Sequence, residues 1–121
     1  MSTHGALQIQ VFGTRKSSDT RKALRFFAER RLKVHFVDLA ERAASVGELK
    51  RFAQKFGVEA LVDRSSRRFA DLGLGPARFS EERWLEKLAD EPGLLRIPLV
   101  RNQNALTIGD AEGTWKEWTG K

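Results

Sequence analysis

Leu7-Gln8-Ile9-Gln10-Val11-Phe12 alternates apolar and polar residues until its last pair, and Gly13 follows. A period of two predicts a strand, and the glycine predicts its end. Ser17, Ser18 and Asp19 then offer helix-starting side chains, with Asp19 suited to the positive end of a helix dipole. Behind them Ala23, Leu24 and Phe27 share one face while Arg21, Lys22 and Arg25 lie elsewhere. That pattern predicts an amphipathic helix to about Arg31. Val34 to Leu39 reads as a second strand, so the opening third is a βαβ unit with parallel pairing and a right-handed crossover.

The spacing then changes to helical. Ser45-Val46-Gly47-Glu48 has the form of a capping box. Leu49, Phe52, Ala53 and Phe56 follow at i, i+3, i+4 and i+7, and Gly57 is a candidate stop. Val58 to Asp63 predicts a short helical turn, Arg64 to Arg68 a polar stretch, and Phe69 to Leu72 another turn closed by Gly73. Ser80 opens a helix with Glu81 and Glu82 in its first turn and Trp84, Leu85 and Leu88 inward. Pro98–Arg101 and Ala105–Ile108 predict two short strands, and Asn102-Gln103-Asn104 supplies the positive φ of a tight hairpin. Trp115 and Trp118, at i and i+3, fit a closing helix. The expected fold is α/β: a thioredoxin-like four-stranded mixed sheet, β-α-β plus a hairpin, with a helical insertion at about 45–91 inside a single domain spanning 1–121.

At 121 residues with 40% hydrophobic and 31% charged positions, the chain has the balance of a folded domain rather than a disordered one. No apolar run reaches the roughly 18 residues of a membrane span. The first residues lack a basic-then-apolar leader, so the expected compartment is the cytoplasm. The net charge is +6. Its distribution says more than its sum: Arg15, Lys16, Arg21, Lys22, Arg25, Arg30, Arg31 and Lys33 face only Asp19 and Glu29 over the same span. No recognisable nucleic-acid reader accompanies that charge, so nucleic acid is not the expected partner. There is no cysteine, which excludes disulfides, thiolate metal sites and thiol chemistry by this chain. No metal and no cofactor are expected.

Gly13-Thr14-Arg15-Lys16-Ser17-Ser18 is a strand–loop–helix junction with Lys-Ser at its end. The glycine spacing of a nucleotide-binding P-loop is absent. Two readings stay open. A helix start with two hydroxyls, Arg15 and Lys16 can hold a sulfate, phosphate or carboxylate, or Ser17 or Ser18 can simply cap the helix. His35 has no motif linking it to Ser17, so no Ser/His/Asp triad is expected. Trp84, Trp115 and Trp118 read as packing residues.

The order of segments resembles the arsenate reductase (ArsC)/Spx family. The matching stretches are Val11-Phe12-Gly13 into Ser17 to Ala23, Leu61 to Arg64 through Phe69 to Leu74, Pro92 to Val100, and Ile108-Gly109. The resemblance implies a cysteine five residues past the strand's aromatic, at the position of Ser17. Ser18-Asp19-Thr20 echoes the Cys-Asp-Thr run of some relatives one residue later. Spx-like members add a second cysteine three residues on, here Thr20. The resemblance also implies oxyanion-holding arginines, which align with Asp63 and Ile97 and have Arg64 and Arg96 beside them. It further implies a cis Ile97–Pro98 bond facing the first loop.

Sulfur is missing from both expected positions, and a serine hydroxyl can neither form a mixed disulfide nor attack well without an adjacent base. The expected function is therefore that of a cysteine-less pseudoenzyme, a non-catalytic binding or regulatory module. Ser17, Ser18, Arg64 and Arg96 are its candidate anion-binding residues, and Arg21, Lys22 and Arg25 form a candidate basic face. By family analogy the partner would be a protein such as RNA polymerase. The alternatives are a glutaredoxin-dependent arsenate reductase-type enzyme, if Ser17 replaces a native cysteine, and anion or glutathione binding without turnover.

Overall fold

The computed structural model describes residues 8–120. Leu7 of the expected first strand, and His4, lie outside the described residues. Strand β1 (Ile9–Gly13) is followed by helix α1 (Ser18–Glu29) and strand β2 (Val34–Asp38). β1 and β2 pair in parallel with Ile9 opposite Val34 and Gly13 opposite Asp38. Helix α1 stops two residues before the expected Arg31, because Arg31 takes a left-handed φ of 60°. The Leu32 amide then turns back onto the Phe27 carbonyl at 3.0 Å.

Helix α2 (Val46–Phe56) begins with the expected reciprocal cap: Ser45 Oγ accepts from the Glu48 amide, and the Glu48 carboxylate accepts from the Ser45 amide. Leu49, Phe52 and Ala53 are buried, but Phe56 is 39% exposed, so the last turn of the expected inward face is open. A 3-10 turn at Val58–Leu61 follows. Helix α3 (Arg67–Asp71) starts inside the stretch expected to be polar loop, because Ser66 Oγ caps it by accepting from the Phe69 amide. Helix α4 (Glu81–Asp90) starts at its Ser80 cap and buries Trp84, Leu85 and Leu88. A 3-10 turn at Pro92–Leu94 leads into an antiparallel bridge between Val62 and Leu95.

Strands β3 (Leu99–Asn102) and β4 (Ala105–Ile108) form the hairpin, and the sheet order is β2-β1-β3-β4. Gln103, with φ 56°, supplies the positive dihedral of the turn. Helix α5 (Glu112–Trp118) buries Trp115 fully, and the indole N–H donates to Thr107 Oγ1 at 2.9 Å. Trp118 is only half-buried.

The chain divides into two compact units. One comprises the described residues up to Ala40 together with those from Ile97 onward, and the other is Glu41–Arg96, somewhat wider than the expected insertion. In the first, Ile9, Val11 and Val100 on one face of the sheet pack with Ala23, Phe26, Phe27 and Trp115. The three aromatic rings stack at centroid distances of 5.1–5.6 Å in tilted and edge-on geometries. In the second, α2 packs on α4, and the buried side chains include Leu49, Phe52, Trp84 and Leu88.

Candidate functional site

One end of the sheet gathers the elements expected to matter. β1 ends there at Gly13 and β2 at Asp38. β3 begins there, with Leu99 opposite Phe12, which brings Pro98 level with Gly13. The Ile97–Pro98 bond is cis, and Pro98 is buried. The Gly109 amide, just past β4, donates to the Pro98 carbonyl at 2.8 Å.

The loop from Gly13 into α1 is held internally. The Ser17 amide donates to the Thr14 carbonyl at 3.1 Å. Ser17, not Ser18, is the helix cap: its Oγ accepts from the Thr20 amide at 3.1 Å. The Ser18 and Asp19 amides remain as donors at the positive end of the helix, and the Asp19 carboxylate already sits in that first turn.

Thr20 is fully buried, and its Oγ1 has no hydrogen-bond partner among the described residues. It packs against the bare Cα of Gly13. A Cβ on Gly13 would collide with Thr20 Oγ1 and lie 2.8 Å from its Cγ2, so the glycine is there for close approach.

The loop's cations are partly spent on the protein itself. The Arg15 guanidinium lies over the Phe36 ring at 4.8 Å, and the Arg15 carbonyl accepts from Arg21 Nη1 at 2.7 Å. Lys22 Nζ meets Asp110 Oδ2 at 2.7 Å and Glu112 Oε1 at 3.2 Å. These bonds raise the Lys22 ammonium above its ordinary value, Asp110 first and Glu112 second. The Lys22 hydrogen bond in turn holds the Asp110 carboxyl below its usual range. Of the expected basic face, Arg25 and Lys22's neighbour Arg21 are exposed. No short motif points to the two acids, which lie 88 or more residues from Lys22 in sequence.

The two expected oxyanion arginines belong to the second unit. Arg64 donates to Glu59 at 2.7 Å and lies 5.4 Å from the Phe69 ring centroid. Arg96 is exposed, and its amide donates to the Leu61 carbonyl at 2.8 Å. His35 is the second residue of β2, with Nδ1 3.4 Å from Gln10 Nε2. It is three strand residues short of Asp38, about 10 Å along the sheet from the loop end. Among the described residues, no group of three or more His, Asp or Glu side chains could hold a metal ion.

A parallel β1–β2 pair, an antiparallel β3–β4 hairpin and a cis-proline beside the first loop define a thioredoxin-like α/β protein. Residues 12–118 match the ArsC family, and the chain belongs to that family. It is 27% identical over 106 residues to the uncharacterized protein YusI of Bacillus subtilis, a match covering 84% of this chain and 90% of that protein. An arsenate reductase from Vibrio cholerae has the same fold, with a TM-score of 0.80, 23% identity, and coverage of 92% of this chain and 97% of the other. An arsenate reductase related protein from Brucella melitensis superposes with a TM-score of 0.67 at 16% identity, over 92% and 93% of the two chains.

Proposed function

We propose that this ArsC-family chain is a binding or regulatory module that carries out no thiol reduction. The observation that supports this reading is at Ser17. The loop position at which the family resemblance implies the attacking sulfur holds a hydroxyl, and that hydroxyl is the acceptor that caps α1. No cysteine elsewhere can replace it. Reduction through a thiolate adduct and a disulfide needs a sulfur atom at each stage. A serine could act only with a base beside it, and His35 lies well away from the loop along β2.

The ligand-binding part of the proposal draws on the Ser18 and Asp19 amides, which can take a small anion or the carboxylate of glutathione. Arg64 and Arg96 remain proposed anion-binding residues of the second unit. The protein-binding part draws on Arg21 and Arg25, exposed on α1, with a cytoplasmic protein as partner. No described helix is long and apolar enough to cross a membrane.

Calorimetric titration with phosphate, arsenate and glutathione tests the first part. Binding that Ser17→Ala weakens is the expected outcome, and no heat from any of the three rejects it. Capture of partners from native extract by the wild-type chain and by an Arg21→Glu/Arg25→Glu variant tests the second. Capture that the double variant loses is expected, and identical capture contradicts it.

A further inference from the structure

The opposite end of the sheet carries a separate feature. In the β1–β2 register Gln10 faces His35, and in the β1–β3 register Gln10 faces Arg101. Strand alternation therefore sets His35, Gln10 and Arg101 in one row across three strands, on one face of the sheet. Two residues further out, Lys33, Gln8 and Gln103 extend the row's pattern. These six residues, with Ile9 and Val34, line an open cleft of about 560 Å³.

The chemistry of the lining is one-sided. Among the described residues, two cations, an imidazole and three amides line the cleft, and no carboxylate does. Arg101 donates through Nε to the Gln103 carbonyl at 2.8 Å, which orients its guanidinium while leaving the Nη donors uncommitted among the described residues. Lys33 makes no ion pair among the described residues and is exposed. Cations with no facing acid are the arrangement that receives an anion, and a guanidinium fixed through Nε presents its remaining N–H groups as a fork. The volume is that of a small-molecule site rather than of a bare ion.

We propose that this cleft binds a phosphorylated small molecule. Arg101 and Lys33 take the phosphate, and the amides of Gln8 and Gln10 bind the ligand's neutral polar groups. The site is independent of the Ser17 loop and stands or falls without it.

The test is a titration of the full chain, labelled with ¹⁵N, with adenosine monophosphate, glucose 6-phosphate and inorganic phosphate. The organic phosphates should shift the Gln10, His35 and Arg101 amides, with inorganic phosphate weaker. Arg101→Gln and Lys33→Gln should each weaken binding by about tenfold or more. Ser17→Ala should leave it unchanged, which separates this cleft from the loop site. Lys33 is exposed, so its variant remains informative if Arg101→Gln disturbs the hairpin. Three results would overturn the assignment: no shifts with any probe up to about 5 mM, shifts confined to Ser17–Thr20, or affinities that neither Lys33→Gln nor Arg101→Gln alters.

Discussion

The two ends of the sheet differ in how their cations are paired. At the loop end several polar side chains are committed: Ser17 caps α1, Arg15 covers Phe36, Arg21 bonds the Arg15 carbonyl, and Lys22 pairs with Asp110 and Glu112. At the far end, among the described residues, Lys33 and Arg101 face no acid across the cleft. The loop end, whose geometry follows the family pattern, pairs Lys22 with two acids, while among the described residues neither cation of the far cleft has an acid partner. A family resemblance locates a candidate loop, and the bonding of each side chain shows what it can offer a ligand.

Substitutions at the two ends should separate them. The largest effect is expected from Gly13→Ala, because the added methyl has no room against Thr20. Urea unfolding should show a loss of about 2 kcal/mol, and a Gly13→Ala/Thr20→Ala double variant should recover part of it. Ser17→Ala removes the α1 cap and should cost about 1 kcal/mol. Thr20→Val keeps the shape and removes a buried hydroxyl without a partner, so it should raise stability by up to about 1 kcal/mol. A drop instead would mean that the hydroxyl is used. Lys33→Gln and Arg101→Gln should change stability by less than about 0.5 kcal/mol, as expected of residues kept for binding rather than folding.

Acid should act through the ion pairs. Asp110, Glu48 and Glu91 are held below their ordinary values, mainly by hydrogen bonds from Lys22, Arg42 and Arg68 respectively. A lowered folded-state value means that these pairs add stability above the ordinary carboxylate range and lose it as pH falls through the lowered values. Urea midpoints measured from pH 6 downward should therefore fall, and less steeply in Lys22→Met than in wild type. All three pairs are solvent-accessible, so added salt should flatten the same profile.

Much of the architecture was legible because it rests on local signals. The strand alternation before Gly13, the serine caps at positions 45 and 80, and the spacing of Trp84, Leu85 and Leu88 each depend on a few neighbouring residues. The misses were also local: Arg31 adopting a left-handed backbone, Phe56 remaining exposed, and Ser66 starting a helix inside a polar run. At the loop, the sequence left Ser17 and Ser18 as rival caps, and only the hydrogen bond to Thr20 decides between them. The partners of Lys22 and the row His35–Gln10–Arg101 depend on register and on chain segments far apart, which no short motif encodes.

On the function proposed above, a loop without sulfur leaves this ArsC-family chain unable to reduce arsenate. The most direct measurement is As(III) formation from arsenate by the purified protein supplied with glutathione, glutaredoxin and an excess of reductant. The rate should equal that of the protein-free blank. Sustained production of As(III) above that blank, in proportion to the amount of protein added, would contradict it.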